Sequence, residues 1–449
     1  MRLTRDKSFY RQVFRLTSFI ALQNVIACFV GLVDNVMIGA YSQDALSGVA
    51  LANQVQFFLQ MITSGMGEGM AVIAAQYWGT RRLEPIRRVT AITVDFALIT
   101  CVVFTALARF LPEGILGLLA SDAGAIAEGA SYMRVICYSY PFFGVSMILL
   151  AGQRSVENVS VGMIASLSGL CVNIALNWAL IFGNLGFPAL GARGAAIATL
   201  IARLVECGVV VLYTYRIDRK LAIALRDFLH MDRELLHDFR RVSTPVVLSG
   251  SSWGIAMTVQ TAILGHLGSN AIAANSIANS LFQVISVIVY GMASASGVVI
   301  GKAVGRDDRE HLKEYVNTLQ LLFVVIGLVS GALLFATKDW IRRLYSVTPE
   351  AMDMARQFMT VLSITLVGTA YQCACLTGIV RGGGNTKFVF YNDLIFMWGI
   401  VLPVSLLAAF VFHWPPVIVF FCLKADQLMK CFVAVWEVNS YHWVHKVTR

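Results

Sequence analysis

Long apolar segments recur along the whole chain, and they constrain its fold more than any other feature. Twelve of them are roughly 20 to 28 residues long, enough for a helix to cross a hydrocarbon core of about 30 Å. The predicted spans cover residues 14–38, 46–74, 89–111, 129–152, 160–183, 192–215, 242–266, 272–300, 313–336, 354–379, 388–411 and 415–438.

The composition agrees with a lipid environment. Of the 449 residues, 57% are hydrophobic and only 14% are charged, whereas soluble domains carry about 25% charged residues. The mean hydropathy of +0.71 points the same way. A chain with this composition cannot hide its apolar surface in a soluble core, so we predict an all-α integral membrane protein with twelve transmembrane helices.

The two halves of the chain repeat each other. The offset is 226 residues, and it becomes 227 after one extra residue in the second half. Matching positions include Asn53 with Asn279, Gly79 with Gly305, Glu84 with Glu310, Arg154 with Arg381 and Asn158 with Asn385. Such a repeat indicates a duplication. It predicts an amino-terminal half at residues 1–215, a cytoplasmic linker at 216–241 and a carboxyl-terminal half at 242–449, each half with six spans.

The distribution of basic residues predicts the orientation, because short cytoplasmic loops are enriched in Lys and Arg. The turn at residues 41–44 has none, whereas Lys338, Arg342 and Arg343 stand in one predicted outer loop. The remaining clusters all fall on one side: Arg2, Arg5, Lys7, Arg11, Arg15, Arg81, Arg82, Arg87, Arg88, Arg216, Arg219, Lys220, Arg226, Arg233, Arg240, Arg241, Lys302, Arg306, Arg309 and Lys313. We therefore expect a multi-pass plasma-membrane protein with both termini in the cytoplasm.

Several function classes are disfavoured by the sequence. The net charge of +9 follows from basic loops that face anionic lipid, and no helix carries the basic and aromatic stripe of a nucleic-acid site. The nine cysteines lie in predicted spans without metal-ligand spacing. Nucleotide-binding and zinc-protease motifs are missing. The sequence thus predicts a non-enzyme without metal or organic cofactor, driven by an ion gradient or by the gradient of its substrate.

Four motifs carry a resemblance to a known family. They are the stretch from Gly69 to Glu84, its repeat from Gly297 to Glu310, the segment Val33-Asp-Asn-Val-Met-Ile-Gly39 and the segment Leu376-Thr-Gly-Ile-Val-Arg-Gly-Gly-Gly-Asn-Thr-Lys387. Together, in a chain of twelve repeated spans, they resemble the multidrug and toxic compound extrusion (MATE) transporters, and the pattern is more similar to the DinF branch. The resemblance runs over nearly the whole chain.

The resemblance implies two pseudo-symmetric six-helix bundles that face each other across a V-shaped cleft. It also implies a monomeric multidrug antiporter in the lipid bilayer that exports cationic or amphipathic small molecules in exchange for H⁺ or Na⁺. Transporters of this type alternate access by rocking one bundle against the other.

Asp34 is the predicted ion-coupling residue. A charged side chain inside a transmembrane helix costs about 2.5 to 3.5 kcal/mol on insertion scales, and it usually marks an ion or substrate pathway. Asp34 also lies near the carboxyl end of its helix, where the helix dipole disfavours an anion. The matching family aspartate is thought to drive transport through protonation or sodium binding. An aspartate merely hydrated near the outer surface is the alternative.

The repeat offset pairs Asp34 with Gln260, so the ion site is expected in the amino-terminal half alone. Asn173 and Asn177 share one face of the fifth span. The resemblance places a second aspartate near Asn177 in many members, and its replacement here implies one negative charge instead of two. Hydrogen bonds between helices are the alternative role for both asparagines.

Two polar stripes are predicted to line the substrate cleft. Asn53, Gln56 and Gln60 lie on one face of the second span, and Asn275, Asn279 and Gln283 do so on the eighth. Glu68 is a further cleft candidate that could instead pair with the basic loop nearby. Arg203 with Glu206, and Asp426 with Lys430, have the spacing of self-neutralising ion pairs.

The sequence thus favours an ion-coupled exporter, most simply a proton-coupled one that uses Asp34. Two alternatives stay open. A flippase for a lipid-linked saccharide would want a cationic cavity, which Asp34 and neutral amides do not provide. A membrane-embedded transferase would need an acidic metal-binding motif, which the sequence does not show.

Overall fold

The computed structural model describes residues 3–120, 122–218, 220–221, 223, 227–228, 232–340 and 348–448. Within these residues eleven helices are long and apolar enough to cross a membrane. They are α1 (Lys7–Tyr41), α2 (Gln43–Gly79), α3 (Leu83–Phe110), α4 (Ala123–Ser155), α5 (Ser160–Phe182), α6 (Ala192–Ile217), α7 (Arg233–His266), α8 (Asn270–Gly305), α9 (Arg309–Thr337), α10 (Pro349–Val380) and α11 (Thr386–Val411).

The all-α membrane fold expected from the sequence is confirmed. Each of the first eleven predicted spans coincides with one of these helices, and none extends beyond its helix by more than one residue. The helices are longer than the apolar spans because their ends carry polar residues, such as the first turns of α1 and α7.

The twelfth predicted span is also helical, with one local irregularity at Ala425, whose own backbone keeps a right-handed helical conformation. The segment 415–438 falls into α12 (Pro416–Lys424) and α13 (Asp426–Ser440), separated at Ala425. Ala425 lies between Lys424 and Asp426, whose polar groups interrupt an otherwise apolar stretch.

Side-chain caps define where several helices begin. Asp308 accepts a hydrogen bond from the backbone N–H of His311 at the start of α9, and Thr348 accepts one from Ala351 at the start of α10, where Pro349 follows directly. Such caps satisfy N–H groups that have no partner within the helix. At the other end of a helix, Gly183 terminates α5 with φ of 74°, a left-handed conformation that favours glycine.

The chain divides into two compact units. One consists of Met1–Ala21, Ala75–Arg81 and Leu248–Arg449, and the other of Leu22–Ala74 and Arg82–Val247. Helices α1, α2 and α7 each contribute residues to both units. The domain boundaries expected from the repeat stay a prediction, and part of the expected linker 216–241 lies outside the described residues, as do Arg2, Arg219, Arg226, Arg342 and Arg343.

The unit that contains Leu22–Ala74 is packed through very close helix contacts. Its apolar core joins α2, α3, α4 and α6 around buried residues such as Leu59 and Tyr140. Gly48 of α2 faces Gly129 of α4, and a Cβ on Gly48 would lie 2.5 Å from the backbone nitrogen of Gly129. Only glycine permits this approach, as small residues generally do between membrane helices.

The unit that contains Leu248–Arg449 has its own core, in which the rings of Phe358 and Phe420 stack with centroids 4.0 Å apart. Its carboxyl-terminal segment is anchored as well. Trp443 is completely buried, and the Gln76 side chain bonds to the backbone oxygen of His445 at 3.1 Å and the backbone nitrogen of Val447 at 2.7 Å. The last residues of α2 therefore belong structurally to this unit.

Candidate functional site

A polar cavity of about 290 Å³ lies inside the unit formed by Leu22–Ala74 and Arg82–Val247. Five helices line it: α1 with Asp34, α2 with an amide stripe, α4 with Tyr132, α5 with Asn173, and α6 with Arg203. Polar side chains in an apolar bundle are costly unless they contact each other, water or a ligand. The cavity is therefore the candidate functional site of this unit.

Asp34 stands at one end of a chain of hydrogen bonds. The Asn177 Nδ2 donates to its Oδ1 at 2.5 Å and lies 3.1 Å from the Asn173 Oδ1. The Asn173 Nδ2 in turn lies 3.2 Å from the Thr199 hydroxyl. Both asparagines are almost completely buried, so the carboxylate is positioned by groups that have little freedom to move.

The carbonyl oxygen of the Asn177 side chain lacks a hydrogen bond. Its Oδ1 is buried and has no hydrogen-bond partner among the described residues. A buried carbonyl oxygen without a donor costs free energy, on the order of 1–3 kcal/mol. Next to Asp34, this oxygen could accept the hydrogen of a protonated carboxyl or contact a bound cation.

The amide stripe predicted on the second span lines this cavity. Asn53, Gln56 and Gln60 are among its lining residues, together with Phe57 from the same helix. Residues three and four positions apart share one helical face, so a single orientation of α2 presents all three amides. They offer donors and acceptors but no charge.

Several polar lining residues lay outside the predicted site, among them Tyr132, Thr199, Arg203 and Glu206. Tyr132 and Thr199 are isolated polar residues in apolar spans, with no spacing that indicates a site. Arg203 and Glu206 were predicted as an ion pair, and this is confirmed, with Nη1 and Oε2 2.7 Å apart. Sequence spacing did not indicate that the pair lies in the same cavity as Asp34.

The remaining predicted cleft residues do not line this cavity. Glu68, although it belongs to α2, is not part of the lining. In the other unit, Gln260 is buried and accepts a hydrogen bond from the Lys424 Nζ at 3.2 Å, while Asn279 donates to Asn275 at 2.7 Å. Gln283 is exposed on α8. The eighth-span stripe thus takes no part in the lining of the Asp34 cavity.

Charged side chains in the unit that contains Gln260 neutralise one another. Lys430 is 5% exposed and lies 3.0 Å from the Asp393 carboxylate and 3.3 Å from that of Asp426. Asp393 also accepts a hydrogen bond from Ser249. The ion pair predicted for Asp426 and Lys430 is confirmed, and Asp393 joins it from α11.

The cavity lining combines one ion pair, one further carboxylate, neutral amides and aromatic rings. Among the described residues, no group of three His, Cys, Asp or Glu side chains is placed to hold a metal ion. The acidic groups in the lining are Asp34 and Glu206, and Glu206 is already paired with Arg203. What the arrangement offers a ligand is the Asp34 carboxylate, which is bonded to Asn177 and lies in the electrostatic field of Arg203, together with neutral amides and two aromatic rings.

The long apolar helices, with a half-buried carboxylate in a cavity between them, are typical of a multi-pass membrane transporter. The MatE family model matches residues 20–179 and 245–421, one segment in each half of the chain. The chain therefore belongs to the MatE family of transporters, and it is not an enzyme.

Individual relatives are distant but cover most of the chain. The probable multidrug resistance protein NorM of Thermotoga maritima is 26% identical over 389 residues, which is 85% of this chain and 82% of that protein. The uncharacterized transporter YisQ of Bacillus subtilis is 23% identical over 447 residues, which is 98% of this chain and 96% of YisQ.

Solved structures share the fold. A MATE transporter in a bent conformation superimposes with a TM-score of 0.87 at 21% identity, covering 96% of this chain and 95% of that one. An outward-facing multidrug resistance MATE transporter does so with a TM-score of 0.86 at 21% identity, covering 98% and 99%. The helical architecture is therefore that of the MATE transporters.

Proposed function

We propose that the protein is a proton-coupled antiporter that exports cationic or amphipathic small molecules across the plasma membrane. In this proposal a proton and the substrate compete for Asp34. The protein acts as a monomer with both termini in the cytoplasm, as the basic loops suggest, and it alternates access between its two halves.

The hydrogen-bonded position of Asp34 in the cavity is the observation that carries the proposal. A carboxylate held by Asn177 and lined by amides can bind one positive charge and release it when a competing charge arrives. The relatives named multidrug resistance proteins support a broad range of organic substrates, and the Phe57 ring in the lining supports an apolar component in them.

The surroundings of Asp34 favour a proton over sodium as the coupling ion. Sodium would need several oxygen ligands at once, whereas the Asp34 carboxylate is bonded to a nitrogen donor, the Asn177 Nδ2. A proton needs one acceptor, and the unpartnered Asn177 Oδ1 can then accept the hydrogen of the neutral carboxyl. Ionised and protonated Asp34 would then bond to different atoms of Asn177. Coupling requires such a difference in contacts between the two states.

The test is efflux of ethidium from proteoliposomes that contain the purified protein. Under an imposed pH gradient, we expect the wild type to transport ethidium and Asp34→Asn to lose transport by at least about tenfold, because the amide can neither be protonated nor attract a cation. A sodium gradient without a pH gradient should drive little transport.

Asp95→Asn is the matched control, because it makes the same change at an aspartate of α3 in the same unit but outside the cavity lining. It should transport like the wild type. Equal transport by Asp34→Asn would reject Asp34 as the coupling site, and transport driven by sodium alone would reject the proton. Substrate turnover by the purified protein without any gradient would favour the membrane-embedded transferase.

A further inference from the structure

The Asp34 cavity contains a cation of its own. Arg203 and Glu206 both come from α6, one turn apart, with Nη1 and Oε2 2.7 Å from each other. The guanidinium carbon also lies 5.1 Å from the centre of the Phe143 ring, which positions the side chain from α4. The side chains are 28% and 12% exposed, so the pair is largely removed from solvent.

The charged groups that face the cavity can be counted helix by helix. Asp34 comes from α1, and Arg203 and Glu206 come from α6. The α4 contribution is the neutral Tyr132, and α2 and α5 contribute amides, a serine and apolar groups. With both carboxylates ionised, the lining carries one net negative charge, since Arg203 cancels one of the two acids.

A net charge of this size matters because the cavity is small and its charged pair is largely removed from solvent. Charges in a poorly solvated environment interact several times more strongly than they do in water. An unpaired buried charge is unfavourable, and so is an excess of the opposite sign. A lining with one net negative charge is therefore most stable with one added positive charge, neither zero nor two.

We propose that Arg203 sets the charge selectivity of the cavity, so that it accepts a single positive charge: either one proton or one monovalent organic cation. The inference rests on the proposed export of cations and goes further by naming the substrate class. Exchange of one proton for one monovalent cation moves no net charge. Transport should then respond to the pH gradient but not to the membrane potential.

The same count of charges predicts how removal of Arg203 or Glu206 would change the preference for a single positive charge. Without the guanidinium, Asp34 and Glu206 would present two negative charges to the same small volume. Such a lining favours a dication or two positive charges at once. Removal of the Glu206 charge alone would do the opposite, because Arg203 and Asp34 would then leave the lining neutral.

The experiment measures binding of tetraphenylphosphonium, a monocation, and methyl viologen, a dication, to purified protein. The wild type should prefer the monocation. Arg203→Gln should shift the ratio of the two dissociation constants toward the dication by about tenfold or more. Glu206→Gln should weaken binding of the monocation by about tenfold or more.

The double variant Arg203→Gln/Glu206→Gln separates charge from structure. It restores one net negative charge, so its preference should return to the monocation, although it differs from the wild type at two positions. Arg203→Lys keeps the charge and should keep the monocation preference. The double variant binds a ligand only if it folds, so ligand binding also reports its folding. The test therefore still applies if one of the single variants fails to fold.

Transport in proteoliposomes with the potential clamped by potassium and valinomycin completes the test. Wild-type export of the monocation should be unaffected by the clamped potential, and export by Arg203→Gln should become dependent on it. If Arg203→Gln keeps the wild-type ratio of dissociation constants, the inference is wrong while cation export stands. If the wild type binds neither cation, the proposed function is wrong, and this inference with it.

Discussion

Asn177 shows how one residue can set the charge of a transport site. It replaces the aspartate that the MATE resemblance places near this position in many members, and its amide bonds directly to Asp34. Two carboxylates at this distance could not both be ionised without a bound cation, because like charges raise each other's affinity for protons and cations. With an amide here, Asp34 can work with a single proton.

Asn177→Asp should therefore change the ion dependence of transport. The second carboxylate would lie beside Asp34 and attract a second positive charge, so we expect export to acquire stimulation by sodium. The measurement is ethidium efflux with and without a sodium gradient at constant pH. Asn158→Asp, a change at an asparagine of the same unit that bonds to Gln153 and not to Asp34, is the control. Sodium-independent transport by Asn177→Asp would contradict this account.

At the scale of elements, α2 and α8, which correspond to each other in the repeat, cross at very close range. The last turn of α2 and the carboxyl-terminal part of α8 belong to the same compact unit. A Cβ on Gly79 would lie 2.3 Å from the Lys302 carbonyl oxygen, and one on Gly305 would lie 2.0 Å from that of Gln76. Gly79 corresponds to Gly305 in the repeat, and Gln76 corresponds to Lys302. The two helices thus cross symmetrically, backbone against backbone.

Gly305→Ala should be destabilising although the added group is only a methyl. The methyl would overlap a backbone carbonyl, so the helices would have to separate, at a cost of about 1–3 kcal/mol. Thermal unfolding in detergent measures the effect. Gly399→Ala in α11 is the matched control, because nothing lies within 4 Å of a Cβ at that position. Equal melting temperatures for the two variants would contradict the close crossing.

At the scale of the whole molecule, the basic clusters predict which side of the membrane each turn faces. Leu185, in the turn between α5 and α6, is 77% exposed, and Lys446 near the end of the chain is exposed as well. The basic clusters predict that the first position lies outside the cell and the second in the cytoplasm.

Cysteine labelling tests this topology in a variant that lacks the nine native cysteines. A membrane-impermeant maleimide should label Leu185→Cys in intact cells and Lys446→Cys only after permeabilisation. Labelling of both after permeabilisation is the control for accessibility. The reverse pattern in intact cells would place the basic loops outside and would invert the proposed direction of export.

The sequence by itself determined the membrane environment, the positions of eleven helices and the repeat, and it singled out Asp34 as the candidate coupling residue. These properties are local, since hydropathy and charge along one segment decide whether it crosses lipid. Only the tertiary structure decided that Arg203, Glu206 and Tyr132 share a cavity with Asp34. The rotation and packing of whole helices decide which faces meet, and no spacing within a single segment contains that information.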